Sequence, residues 1–300
     1  MNAQGLPTTI PEYLEQLREA LKGADPAMIQ DALYDAEEYL RSELAEQVGK
    51  SEAEVIASVA GSYGAPEEVA DIYRQTEVTV TRALRAPPPP PRRSSIGRFF
   101  GVAADPRTYG ALFYMLLSMI TGTFYFTWVV TGASISLGTL ILIVGLPLLV
   151  LFFGSIRLLS LVEGRIVEAL LGQRMPRRPL YTQRDRPWLA RIGDMFTDRR
   201  TWSTMLYLLL MLPLGIAYGV LSAGLLSASL TMLAAPLVYI WDDSHVWVDG
   251  VSVTISNAWT IPLVSFLGLM LLFVTLHMAR GVGQVHGWLA KQLLVRSPVV

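Results

Sequence analysis

The sequence predicts an all-α protein: a polytopic membrane domain with four transmembrane helices in two tandem repeats, preceded by a small cytoplasmic helical domain. Three observations predict it. Two long tracts are nearly free of charge, with no Lys, Arg, Asp or Glu between Arg107 and Arg157, and only Asp242, Asp243 and Asp249 between Arg200 and Arg280. Residues 1–85 carry apolar side chains at helical spacing behind clear start signals. The chain also matches itself at offsets of 93 and 123 residues.

Composition agrees. Of 300 residues, 52% are hydrophobic and 16% charged, with a mean hydropathy of +0.41, against roughly 25% charged in ordinary globular chains. The absence of cysteine excludes a disulfide framework, a thiolate metal site and a thiol nucleophile. A net charge of -1 conceals two unlike parts: residues 1–85 hold 16 acidic and 7 basic side chains, the remainder 9 and 17, so the parts carry -9 and +8. Such asymmetry points to a membrane or partner surface.

The N-terminal domain, residues 1–85, is read as helical from Tyr13, Leu14, Leu17 and Leu21 and from Ile29, Leu33, Ala36, Leu40 and Leu44. Its helices start at Thr9 with Glu12, at Asp25 before Pro26, at the Ser51 and Glu54 capping box, and at Pro66. Residues 86–97 follow as a linker, whose run Pro87 to Pro91 is a semi-rigid polyproline spacer.

The membrane domain takes residues 98–300. Spans are expected at 109–131, 136–159, 202–224 and 261–278, each near the 20 or so apolar residues a helix needs to cross. Lys and Arg cluster before the first span, between the second and third, and after the fourth, whereas 132–134 and 241–257 have none. The positive-inside rule then puts both termini in the cytoplasm. With no cleavable signal ahead of the acidic region, the first span is expected to direct insertion. Residues 225–240 are apolar and contain Pro236. Joined to the third span they would make a helix of about 58 Å, nearly twice the hydrocarbon thickness, so they are read as a re-entrant or interfacial segment. Residues 241–258 form the outer loop.

The repeat sets Asp105, Arg107, Thr108, Tyr114, Gly122 and Tyr125 against Asp198, Arg200, Thr201, Tyr207, Gly215 and Tyr218, and Arg157, Gly164 and Leu170 against Arg280, Gly287 and Leu293. Each half reads as a helix out, a helix back and a short amphipathic helix along the inner leaflet. Both halves start inside, so the repeat is a parallel one.

Residues Thr9 to Arg74, through Tyr13-Leu-Glu-Gln-Leu-Arg-Glu-Ala-Leu, Asp35-Ala-Glu-Glu-Tyr and Tyr63-Gly-Ala-Pro-Glu-Glu-Val-Ala, resemble the HAAS-type helical signalling domain. Arg98 to Leu294 is similar to a four-helix bacterial sensor family often found ahead of histidine kinase regions, through Gly145-Leu-Pro147, Arg157-Leu158, Glu163, Leu170-Leu-Gly172, Thr201-Trp202, Tyr207, Pro213 and Gly215. The resemblance implies signalling in a bacterial cytoplasmic (inner) membrane, with a PadR-like transcription regulator or a separate kinase as partner. No kinase core follows Leu294, so output is expected to pass through another protein.

Candidate sites are few. The histidines His245, His277 and His286 include no pair at the spacing that sets two ligands on one helix face, and neither catalytic residues nor a metal or cofactor is expected. His277 is read as a hydrogen-bonded structural group, and Asp242, Asp243 and Asp249 as a solvated loop before a cation site. Val246 to Ile255 carries an Asp-Gly hairpin signal, while the family resemblance has the fourth span begin at the end of this segment; both readings stand. Glu163 and Glu168 are read as a solvated face among Arg157, Arg165 and Arg174. Pro147 and Pro213 are read as kinks.

The aromatic residues Tyr125, Trp128, Tyr239, Trp241, Trp247 and Trp259 form an interfacial belt or line a cleft for an apolar or lipid-like ligand. The basic connection with Arg177, Arg178, Arg184 and Arg186 meets anionic lipid or docks the acidic domain through Asp31, Asp35, Glu37 and Glu38. Together these readings give a non-enzymatic membrane sensor or adaptor. It contacts membrane lipids, forms a homo-oligomer or remains alone, and binds no nucleic acid directly. A transporter or binding protein for an apolar or lipid-like molecule is the alternative, opposed by the lack of charged residues in the expected spans.

Overall fold

In the computed structural model the described residues are 7–47, 49–84, 94–142, 145–176, 193, 196–237, 245–248, 251–254 and 259–295. The chain divides into two compact units, one of Met1–Pro90, Arg174–Arg200 and Val295–Val300, the other of Pro91–Gln173 and Thr201–Leu294.

The first unit contains α1 (Ile10–Ala20), α2 (Pro26–Glu46), α3 (Glu52–Ala60) and α4 (Pro66–Leu84). Each starts where the sequence supplies a partner for otherwise orphaned N–H groups. The Thr9 side chain accepts from the Glu12 amide, Asp25 accepts from Ala27 ahead of a helix opened by Pro26, and Ser51 with Glu54 closes a capping box. Between helices the chain turns through Gly23, Gly49 and Gly64, all with positive φ. At Gly64, φ is +113°, a conformation that L side chains resist, and its carbonyl accepts from the Tyr13 hydroxyl at 2.8 Å. The core is apolar: Tyr13, Leu17, Leu21, Met28, Leu40 and Ile56 are fully buried, each worth roughly 1.5–3 kcal/mol relative to exposure.

The second unit begins with α5 (Ser95–Phe100) and a 3-10 turn (Gly101–Ala104). Phe99 stacks on His277 with ring centres 5.3 Å apart, and His277 Nε2 donates to the Phe99 carbonyl at 3.0 Å. Four long helices follow: α6 (Pro106–Gly138), α7 (Gly145–Leu171), α8 (Arg199–Leu233) and α9 (Thr260–Leu294). Among the described residues these four are long and apolar enough to cross a membrane, so the protein is an all-α polytopic membrane protein. Before α9, β1 (His245–Val248) and β2 (Val251–Thr254) pair antiparallel, with Val248 opposite Val251. The hairpin pattern therefore forms, and the last spanning helix starts after it.

Small residues set the helix packing. Gly110 at the start of α6 leaves no room for a Cβ beside the Leu170 carbonyl near the end of α7, so these helices are antiparallel. The Ser203 hydroxyl near the start of α8 donates to the Leu293 carbonyl near the end of α9 at 2.9 Å, which makes that pair antiparallel too. Tyr114 meets Tyr207 across α6 and α8, and further along Gly122 abuts the Met211 carbonyl while Gly215 abuts the Ser118 carbonyl. Thus α6 and α8 run in the same direction with backbone against backbone. Such small-residue contacts are how membrane helices approach closely without a hydrophobic driving force. Contacts 93 residues apart match: Asp105 accepts from the Arg107 amide at 3.1 Å, and Asp198 from the Arg200 amide at 3.1 Å.

Several boundaries differ from the sequence reading. Gly132 to Ser134 is no loop, because α6 continues to Gly138 and the break falls after it. Residues 225–233 do not form a separate segment. They prolong α8, since Leu, Ala and Ser run on without a breaker before Pro236. The separate amphipathic helices are absent as well: α7 and α9 run without interruption to Leu171 and Leu294. Pro213 does lie inside α8, whereas Pro147 sits in the first turn of α7, where a missing N–H costs no intrahelical bond.

Candidate functional site

The interior of the four-helix bundle contains a polar cluster to which every spanning helix contributes. From α6 come Tyr114 and Tyr125, from α7 Glu163, from α8 Tyr207 and Tyr218, and from α9 His286. Glu163 is fully buried yet accepts three phenol protons: Tyr114 donates to its Oε1 at 2.6 Å, Tyr207 to the same oxygen at 2.9 Å, and Tyr125 to Oε2 at 2.9 Å. On the opposite side, His286 Nε2 lies 2.6 Å from the Tyr114 hydroxyl and 2.9 Å from that of Tyr207. Tyr114 and Tyr207 are therefore two parallel bridges between one carboxyl oxygen and one ring nitrogen. The second ring nitrogen, Nδ1, is 3.4 Å from the hydroxyl of half-buried Tyr218.

Placement follows from spacing. Tyr114 and Tyr125 are eleven residues apart on α6, three turns at 3.6 residues each, so both face inward; Tyr207 and Tyr218 repeat that interval on α8. His286 follows Glu163 by 123 residues, the offset that aligns Leu170 with Leu293. A buried carboxylate is tolerable only when hydrogen-bonded or paired, and three phenols with an adjacent imidazole supply that environment. The cluster is a continuous hydrogen-bond chain from Glu163 through Tyr114 and Tyr207 to His286. Among the described residues, no three His, Asp or Glu side chains are grouped so as to hold a metal ion.

Of the six expected aromatic residues, the structure describes the side chains of three. Tyr125 is 2% exposed and belongs to the core cluster. Trp128 is 44% exposed, its indole N–H donating to Ser155 at 2.8 Å, and Trp259 is 87% exposed. Tyr239 and Trp241 lie outside the described residues, and Trp247 is described only as part of β1.

Of the acidic docking candidates, Asp31 is buried and sits 3.8 Å from Arg174 in the first unit. Asp35 accepts from the Tyr73 hydroxyl at 2.8 Å, which together with burial pushes that phenol up. Glu37 pairs with Arg41 at 3.1 Å, and burial raises its carboxyl above the usual range against the pull of that guanidinium. Glu38 alone of the four is exposed. Arg177, Arg178, Arg184 and Arg186 lie outside the described residues.

Glu163 corrects the reading of a solvated face, and the sequence pattern gives His286 no role. The available signal was the repeat itself, whose offsets pair Tyr114 with Tyr207, Tyr125 with Tyr218, and Glu163 with His286, polar groups recurring in two apolar halves. No curated protein and no solved structure matches the chain. Residues 114–294, a stretch that holds the whole cluster, match the family described as "Putative sensor"; the match covers more than half of the sequence, and the chain belongs to that family.

Proposed function

We propose that the protein is a non-enzymatic sensor and adaptor of a bacterial cytoplasmic membrane. With both termini in the cytoplasm, it relays a signal from its four-helix bundle through the N-terminal helices to a separate regulator. One observation carries the relay. In the first unit Arg174 approaches Asp31 at 3.8 Å and Arg200 Nη1 donates to Gln30 Oε1 at 3.0 Å, so α2 is held by both ends of the basic connection. Residue 174 follows α7 by three positions and residue 200 lies in the first turn of α8. A shift of either spanning helix therefore pulls on residues that grip α2. The distribution of Lys and Arg supports the orientation. The HAAS resemblance of Thr9 to Arg74 supports a PadR-like regulator as the receiver, and the recurrence of caps and close contacts at one offset supports a tandem repeat.

The test uses full-length protein in lipid nanodiscs, with a spin label on exposed Glu38→Cys. Replacing Arg174 and Arg200 by alanine is expected to raise label mobility and to change recovery of the signalling partner from native membranes. Unchanged mobility and unchanged recovery together rule the relay out. One finding favours the transporter alternative: Glu163 is an ionisable group inside the bundle, which removes the premise that the spans hold none. Uptake of a fluorescent lipid or apolar dye by liposomes containing the protein, absent from empty liposomes, puts that reading first.

A further inference from the structure

The cluster between α6, α7, α8 and α9 is filled by its own side chains: Tyr114, Tyr125, Tyr207, Glu163 and His286 are each 2% exposed or less. A ligand able to enter such a site without parting the helices is a proton. We propose that Glu163 and His286 form one proton-binding site, shared through Tyr114 and Tyr207, and that its occupancy is the signal the bundle detects. That a proton binds here follows from the geometry; that it is the signal rests on the sensor reading.

Donor and acceptor counting supports the assignment. Each tyrosine hydroxyl has one proton and accepting lone pairs. With Glu163 as carboxylate, Tyr114, Tyr207 and Tyr125 donate to it, and the oxygens of Tyr114 and Tyr207 accept from His286 Nε2–H. If Nδ1 is also protonated, it donates to Tyr218, and the site holds one negative and one positive charge. The proton on Nε2 can then pass to the Tyr114 oxygen while the proton of Tyr114 passes to Glu163 Oε1. One N–H and one O–H bond break and two O–H bonds form, leaving a neutral carboxylic acid, a neutral imidazole and an intact phenol. Both hydrogen bonds of the path through Tyr114 have reversed, while Tyr207 and Tyr125 still donate to Glu163 and the bond from Nε2 to Tyr207 is given up. Tyr207 offers the same path in parallel. Both states are neutral overall, as a low-dielectric interior favours. Removal of one proton leaves a net charge of -1, which the burial penalises and which the helices can relieve only by moving.

Among the described residues, the hydrogen bonds given for Glu163 and His286 come from tyrosines. Facing Glu163 and His286 are the tyrosines of α6 and α8, together with the sulfur of Met211, 4.0 Å from the Tyr114 hydroxyl. The spanning helices also carry Arg107, Arg157, Arg199, Arg200 and Lys291, and of their other charged residues Arg165 pairs with Glu168 at 2.8 Å and Arg280 with Asp105 at 3.2 Å. Tyr218, half-buried and next to Nδ1, is the route by which a proton reaches the ring from outside.

The experiment takes the full chain in vesicles of phosphatidylethanolamine and phosphatidylglycerol, with protons as the sole ligand. Infrared difference spectra and tryptophan emission are recorded from below the ordinary carboxylate range to above the ordinary imidazole range. A protonated-carboxyl band that titrates together with the emission, and is missing in Glu163→Gln, is the expected result. Tyr114→Phe and Tyr207→Phe each preserve one bridge and are expected to retain the coupled transition. The double variant breaks both and is expected to shift its midpoint by about tenfold in proton concentration, one pKa unit. If Glu163→Gln does not fold, the double variant, which keeps both rings and both ends of the site, decides alone. A band and midpoint that none of these changes alters overturn the proposal. Should the site titrate while the N-terminal label and partner recovery ignore pH, the proton site stands and its role as signal falls. Should they respond to another stimulus while Glu163 does not titrate, the sensor reading stands and this one is overturned.

Discussion

The two units of this protein put polarity in opposite places. In the first, the core of Leu17, Leu21, Leu40 and Ile56 is apolar and most charged residues lie outward, with Asp31 the buried exception. In the second, a glutamate, a histidine and three tyrosines are buried while Phe113, Ile120, Val220 and Leu263 are exposed. The difference follows from the solvent each unit's composition suits. Water drives apolar side chains together, whereas lipid gives apolar groups no reason to leave it, and association falls to close packing and internal hydrogen bonds. In the first unit the buried carboxylate of Asp31 sits beside Arg174 at the margin of an apolar core, whereas in the second the buried carboxylate of Glu163 is held by tyrosines from two other helices.

The sharpest test of this contrast is truncation. Leu40→Ala in the first core is expected to cost about 2–5 kcal/mol, read by pulse proteolysis of the full chain. Ile120→Ala, 70% exposed on the bundle, is expected to leave resistance to SDS unfolding nearly unchanged. Gly215→Ala comes next. Its new methyl meets the Ser118 carbonyl, a backbone atom that cannot swing away, and overpacking of this kind costs about 1–3 kcal/mol. Equal SDS resistance in variant and parent would show that α6 and α8 do not touch there.

Smaller effects separate the units further. Ser51→Ala removes a cap from α3 and should lower the stability of the first unit by about 1 kcal/mol in the same proteolysis assay. Tyr125→Phe removes one donor from Glu163, and interhelical hydrogen bonds in membranes average about 0.6 kcal/mol. A double-mutant cycle with Glu163→Gln measures that coupling in SDS, and a zero value would deny the bond any energetic role. The smallest expected effect is a pH dependence of the first unit, with two opposing limbs. Hydrogen bonds from Ser51 hold the Glu54 carboxyl below its usual range, so its contribution is present above the unfolded value and fades as pH falls through the folded one. Burial raises Glu37, so its contribution is present at acid pH and fades as pH rises through its folded value. Glu54→Gln should flatten the first limb and Glu37→Gln the second, in unfolding midpoints followed across the carboxylate range.

Much of the fold was legible because local chemistry dictates it. The caps at Thr9, Asp25 and Ser51 and the turn ahead of Pro66 act over three or four residues, and the chain follows them. Charge-free tracts marked the spanning helices for the same reason. Helix ends were less legible. Charge loss marks where lipid begins, not where a helix stops, so α8 passes through 225–233 and α9 runs on through Arg280. Glu163 was illegible because a charged residue beside Arg157 and Arg165 resembles a solvated face when only its neighbours along one helix are considered. Its hydrogen-bond partners come from two other helices, 38 to 49 residues away along the chain, and only the alignment of the two halves brings them into view.

The backbone contact between α6 and α8 has a mechanical consequence. A layer of interdigitated side chains can absorb a small tilt by changing rotamers, but Gly122 and Gly215 offer no such layer. The crossing behaves as the rivet of a pair of scissors. Gly122 is sixteen residues from each end of α6, Pro106 and Gly138, and Gly215 is sixteen residues from Arg199 and eighteen from Leu233. Each blade is therefore about 24–27 Å long at 1.5 Å per residue, and the arms are nearly equal. With arms this nearly equal, any rotation about the rivet spreads the helix starts and the helix ends by almost the same distance.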